Sequence, residues 1–232
     1  MARLADRLRR RRVPVPEAVG TRLGTDDGFR AVVDARSAVQ PAGAVHRVEW
    51  WIGSDDRWYA PAVEAAVRQD RPGPAPVLET RMRVAGGDVV ATTWAAVASG
   101  SSGPAVMVEL VNETPVPVAV AVTVQAATGG AIRRLAVEGR RLLVDGETAV
   151  VVDREPGRYA VVDAAADLWE TVTGGRAVTV PPDPIRCRIG AAAGALVVPL
   201  PHRTALRFAV PAGDLLDNPS AVFPTAERVA AG

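Results

Sequence analysis

The chain has 232 residues, of which 48% are apolar and only 4% aromatic, and its formal net charge is +1. That length and apolar content suffice for one large core, and the near-zero charge excludes the strongly basic footprint of a nucleic-acid binder. The single cysteine, Cys187, cannot form an internal disulfide, and no apolar run is long enough to span a bilayer.

The 27 basic residues are all Arg. Six of them stand in residues 1–12 beside one Asp, which leaves 21 Arg against 25 acidic residues in the remainder. The chain therefore reads as a mildly acidic body behind a basic tail over residues 1–16. Leu4 and Leu8 at i, i+4 suit a short helix, which Pro14 and Pro16 stop. No apolar stretch follows the positive charge, so the tail is not a secretory signal, and the expected location is cytoplasmic. The tail is expected to be unstructured rather than an RNA- or membrane-contacting arm.

Phe29–Val33 is the first strand expected. Val45–Tyr59, VHRVEWWIGSDDRWY, follows and holds three of the five Trp residues. His46, Val48, Trp50 and Ile52 alternate with Arg47, Glu49, Trp51 and Gly53, which is the two-residue period of a strand. Trp50 should face the core and Trp51 the opposite side, partly exposed. Gly53-Ser54-Asp55-Asp56 has turn chemistry. Ala60–Gln69 suits either a helix begun by Pro61 or an extended segment.

From Pro76 onward the strand pattern is dense. Val77–Val84, Val89–Val97, Ala105–Val111, Val116–Gln125, Ile132–Val137, Arg141–Val144 and Thr148–Val152 are each rich in Val and bounded by turn residues. Gly86-Gly87-Asp88 and Asp145-Gly146 are hairpin signals. Ser99–Pro104 reads as a flexible loop. Arg158–Asp163, Ala177–Val180, Leu196–Leu200 and Ala205–Val210 complete the series, with one short helical turn over Ala164–Trp169. Thr225 has the chemistry of a helix cap near the end of the sequence.

Eleven to thirteen strands at this spacing describe an all-β, large antiparallel β-sandwich over 17–210. Absence of βαβ alternation excludes Rossmann and TIM architectures, and no repeat period suggests a propeller. Residues 211–232 read as a linker or as the start of a missing helical domain.

Chemistry-bearing motifs are few. Two His and one Cys make no zinc set, so neither metal nor cofactor is expected. Gly190–Gly194 lacks the Lys-Ser/Thr of a phosphate loop, and no G-x-S-x-G elbow occurs. Cys187 lies between Arg186 and Arg188, which alternation turns away from it, so an inert buried thiol is expected. Glu49, Asp55, Asp56, Glu64 and Glu79 are the carboxylates available for glycoside hydrolysis, but their spacing selects no pair. The remaining candidates form one group: Trp51, Asp55, Asp56, Arg57 and Trp58. An exposed indole beside carboxylates can stack on a sugar ring and accept its hydroxyl protons. Large aromatics otherwise supply buried area in cores and interfaces.

Three segments carry a family resemblance: Glu49–Tyr59 (EWWIGSDDRWY), the Gly86-Gly87-Asp88 turn, and Val108–Pro117 (VELVNETPVP), whose strand–Asn–Pro–strand order reads as a hairpin. Together with Phe223-Pro224-Thr225-Ala226-Glu227, they make residues 45–230 resemble the N-terminal β-sandwich of glucoamylase-like (α/α)-barrel glycoside hydrolases. The resemblance implies a sandwich packed on a helical barrel that carries the catalytic carboxylates, so no catalytic residue is assigned to this chain. The expected role is a non-catalytic module that supports or docks onto a carbohydrate-active helical domain or separate chain, with Trp51 and Trp58 in the contact. The alternatives are an autonomous carbohydrate-binding module using Trp51, Asp55, Asp56 and Arg57 on a glycan, or an enzyme with carboxylates in a sandwich cleft. Neither nucleic acid nor membrane is an expected partner.

Overall fold

The structure is a computed structural model of the chain, and it describes residues 19–97 and 103–212. The basic tail, most of the Ser99–Pro104 loop and the cap at Thr225 lie outside the described residues. Described in chain order, the elements are β1 (Thr21–Gly24), β2 (Arg30–Val33), β3 (Val39–Pro41), β4 (His46–Gly53), β5 (Trp58–Tyr59), β6 (Val67–Asp70), β7 (Val77–Val84), β8 (Gly87–Val97) and β9 (Pro104–Asn112). They continue with β10 (Val118–Ala126), β11 (Arg134–Glu138), β12 (Arg141–Val144), β13 (Glu147–Val152), β14 (Arg158–Val162), α1 (Leu168–Thr173), β15 (Ile185–Arg186), β16 (Ala193–Leu200) and β17 (Ala205–Pro211).

The strands form two antiparallel sheets, as an all-β sandwich requires. The first has the order β1-β2-β3-β4-β10-β16-β14, with β5 paired to β4. The second has the order β15-β11-β12-β13-β17-β9-β8-β7-β6. Alternation sends one face of each long strand inward. Val48, Trp50 and Ile52 of β4, Val120 and Val122 of β10, and Leu196 and Val198 of β16 meet Val106, Val108 and Leu110 of β9 and Leu206, Phe208 and Val210 of β17 in one core. Val and Leu fill most of this volume, so the few large rings act as keystones. Trp50 is 1% exposed, and its indole N–H donates to the Ser37 hydroxyl at 3.1 Å.

The hairpins obey their turn chemistry. Asp145 and Gly146 both take positive φ, 54° and 98°, between Val144 and Glu147. That is the backbone of a type I′ turn, whose twist matches the flanking strands. In β13, Ala149 is an extra residue opposite the Leu142–Leu143 step, a bulge that adds local twist.

Val108–Pro117 is not a hairpin. β9 lies in the second sheet and β10 in the first, so Asn112–Pro117 arches across the sandwich. Buried Asn112 holds the arch: its Nδ2 donates to Val116 O at 2.8 Å and Leu200 O at 3.1 Å, and its Oδ1 accepts from Thr114 N at 2.9 Å. Sequence shows strand, turn and strand in both cases; only sheet membership separates an arch from a hairpin.

Other expectations also shift. The described residues form seventeen strands, above the eleven to thirteen expected, because β1, β3, β6 and β15 are only two to four residues long. Ala177–Val180 contributes a single bridge, Val178 to Tyr159, instead of a strand. The helical turn sits later, at Leu168–Thr173. Ala60–Gln69 resolves as turns leading into the edge strand β6.

Candidate functional site

The β4–β5 turn holds most of the residues singled out from sequence, and their contacts are mainly with one another. Ser54 N donates to Arg57 O at 3.0 Å and closes the turn. Tyr59 donates its hydroxyl to Asp56 Oδ2 at 2.6 Å, which holds the Asp56 carboxyl below its usual range and pushes the Tyr59 hydroxyl up. Arg57 lies 3.8 Å over the Tyr59 ring and forks onto Glu64 with two bonds of 2.5 and 3.0 Å. That fork lowers the Glu64 carboxyl below its ordinary value. Trp58 lies flat against Gly53, where a Cβ would stand 2.8 Å from the ring, so only glycine admits the indole. Asp55 alone of the group is exposed and outside these contacts.

Trp51 corrects the expectation of an exposed ring. It is 4% exposed, and it meets Trp169 of α1 edge-on, with centroids 5.0 Å apart and planes at 68°. The reason is a helix that covers this face of the first sheet. Asp167 caps α1 by accepting from Glu170 N at 2.9 Å, and Gly174 ends it. Leu168 and Val172 pack onto Ala121, Ala160 and Ala195, whose small side chains let the helix approach the sheet. The structure therefore separates the expected group: Trp51 and Trp58 join a second apolar layer, while Asp56 and Arg57 are engaged by Tyr59 and Glu64.

A different constellation lies beside Trp51. Glu49, one residue pair along the same outward face, is 8% exposed. Its carboxylate meets Arg47 Nη2 at 2.7 Å and accepts from Gln125 Nε2 at 3.3 Å, and it also accepts the Trp51 indole N–H. The Thr123 hydroxyl donates to Glu49 O at 3.4 Å. Burial nevertheless dominates and pushes the Glu49 carboxyl up, against the pull of Arg47 and Trp51. Arg47 Nε is buried and makes no hydrogen bond. Sequence reasoning named Glu49 only as one of five unpaired carboxylates; its partner Gln125 stands 76 residues away.

The outward face of the second sheet is built differently. Val77, Trp94, Met107, Ala209 and Val151 follow one another across five strands in register and form an apolar row. Trp94 is 0% exposed, and its indole N–H has no hydrogen-bond acceptor. Among the described residues no helix or strand lies across this row, because α1 packs on the first sheet.

Other titratable groups are isolated. His46 opens β4 with a buried, unbonded Nε2; burial lowers its pKa from 6.5 to about 4, with Asp145 pulling the other way. Cys187 is buried, as expected. Burial pushes its thiol up, but backbone N–H groups led by Ala191, 3.3 Å from Sγ, outweigh that and lower it. The flanking Arg residues are not the cause. Among the described residues there is no group of three His, Cys, Asp or Glu that could hold a metal ion, and no helix long and apolar enough to cross a membrane. No protein-family model matches the chain, and no curated protein matches it.

Proposed function

We propose that this chain is a non-catalytic β-sandwich module that docks onto a carbohydrate-active helical partner, either a further domain or a separate chain. The observation that carries the reading is the apolar row around Trp94. A sheet face of this breadth supports a packing layer; the row itself is already buried within the chain, so a partner would reach it at its half-buried rim, Ala75 and Ala96. The carboxylates support the non-catalytic half. Asp56 and Glu64 are tied to Tyr59 and Arg57, and Glu49 is tied to Arg47 and Gln125. Each of these three carboxylates is thus held by a neighbour in the chain.

The test is co-expression with any helix-rich protein encoded next to it that carries paired carboxylates. The two should co-elute as one complex. Ala96→Arg, at the half-buried rim of the row, should break the complex while the sandwich stays folded by circular dichroism. Glycosidase activity in the isolated chain, or two components that never co-elute, would overturn the reading.

A further inference from the structure

Two features reach no ligand: unbonded His46 is a solitary ring, and Cys187 is a lone thiol held by its own loop. The segment that leads into β15 goes further. Residues 180–186 read Val-Pro-Pro-Asp-Pro-Ile-Arg. Each proline fixes its own φ at roughly −65° and drives the residue before it out of the helical region. Pro181, Pro182 and Pro184 thus hold residues 180–184 extended, in the manner of a polyproline II helix. The exposures agree. Pro182 and Ile185 are half-buried, while Pro181, Asp183, Pro184 and Arg186 are exposed. That is a period of three, the number of residues in one polyproline II turn. One edge of the segment therefore lies on the sandwich, with Ile185 packed against the core. The other two edges face out: Pro181 and Pro184 form one, Asp183 and Arg186 the other.

Nothing in the described chain uses those two edges. Backbone pairing holds Val178 to Tyr159 and resumes at β15, and none of it involves residues 179–184. Arg186 stands directly opposite Arg134 across β15 and β11, a like-charge pairing that costs stability. Neither guanidinium has a carboxylate partner among the described residues. We propose that residues 181–186 are a peptide ligand displayed on the sandwich edge, which docks into the aromatic-lined groove of an SH3-type partner whose acidic rim takes Arg186. Two prolines three apart, with Arg two residues beyond the second, match such a groove: the rings lie on aromatic side chains, and the cation meets an acid. A segment already held extended loses little freedom on binding. A polyanion would be drawn to Arg134 and Arg186 but would leave the prolines unused and meet Asp183. A strand added to this edge would find only the two residues of β15 to pair with. Asp183 shares its edge with Arg186, so it opposes the partner's acid and weakens the fit. The segment and the docking row lie apart, since β15 closes the far edge of the second sheet from β7 and β8, and either can fail alone.

The test is calorimetric titration of the full chain with a panel of purified SH3 domains that accept Pro-x-x-Pro-x-Arg peptides. At least one should bind saturably. Pro184→Ala and Arg186→Ala should each weaken that binding about tenfold or more, and Asp183→Asn should tighten it. Arg71→Ala, in the exposed loop after β6, should bind as the parent does. No saturable response to any domain of the panel overturns the proposal. So does binding that survives both Pro184→Ala and Arg186→Ala in proteins whose circular dichroism is unchanged. Binding to heparin that is lost in Arg186→Ala, with no response to the panel, would overturn it in favour of a polyanion.

Discussion

The two outward faces of this sandwich solve one problem in two ways. Each carries a tryptophan where alternation would place a solvent-facing side chain. On the first sheet, Trp51 is covered by α1, and its N–H is taken by the buried Glu49 carboxylate. On the second, Trp94 has apolar neighbours on every adjoining strand and no acceptor. Both rings are buried, and the faces differ in what becomes of the N–H. Burial of an indole thus does not measure its role; the fate of its single N–H does. An orphaned N–H buried with its ring leaves the second face carrying the cost of an unmet donor.

Truncation should make both faces look alike and so sets the scale. Trp51→Ala and Trp94→Ala should each cost about 3–5 kcal/mol, the range for removing a buried large ring, measured by denaturant unfolding. If Trp94→Ala were nearly neutral, the apolar row would be a surface feature of no consequence.

Acid should next expose the ends of the layers. His46 has a folded pKa of about 4 against an ordinary 6.5. Between those values the unfolded chain binds more protons than the fold, so stability rises with pH across the window. The gap corresponds to a loss of about 3 kcal/mol on acidification from above pH 6.5 to below pH 4. His46→Gln should remove that loss, seen as a flat acid limb in the unfolding midpoint. An unchanged limb would mean the ring is solvated in solution.

The sharpest separation of the faces comes from removing only the N–H. Trp51→Phe strips the buried Glu49 of a donor and should cost about 1–3 kcal/mol. Trp94→Phe removes a donor that has nothing to bond, so in the isolated chain it should shift stability by less than about 1 kcal/mol. Equal costs at the two positions would dissolve the distinction between a bonded and an unbonded indole.

Much of this architecture was legible in the residues. Val77–Val84 and Arg141–Val144 were placed to the residue because alternation and bounding turns agree there. Asp145-Gly146 announced its turn because few other pairs accept positive φ twice. Short strands such as Val39–Pro41 and Ile185–Arg186 were not legible, since two or three residues cannot display a period. Sheet membership was equally hidden: the same signals that mark a hairpin mark the arch at Asn112. The candidate site suffered most. Alternation correctly put Trp50 and Trp51 on opposite faces, but nothing near Trp51 in sequence says that Trp169 will cover it. The pairing of Glu49 with Gln125 exists only once β4 and β10 lie side by side.

The smallest effect bears most directly on the first sheet's outward face. Burial holds the Glu49 carboxyl above its ordinary value of 4.5, so in the window above 4.5 the fold binds more protons than the unfolded chain. Its contribution to stability therefore falls as pH rises through that window, opposite in sign to the slope from His46. Above pH 4.5 the two slopes oppose each other in the parent protein, and a weak pH dependence there would conceal both. In a His46→Gln background the Glu49 slope should emerge alone, with stability greatest on the acid side. Adding Glu49→Gln should flatten it while keeping an acceptor for the Trp51 N–H. A slope that persists in the double variant would place the titrating group elsewhere, and Glu49 would then be ionised and comfortable beside Arg47, a charged rim instead of a desolvated anchor.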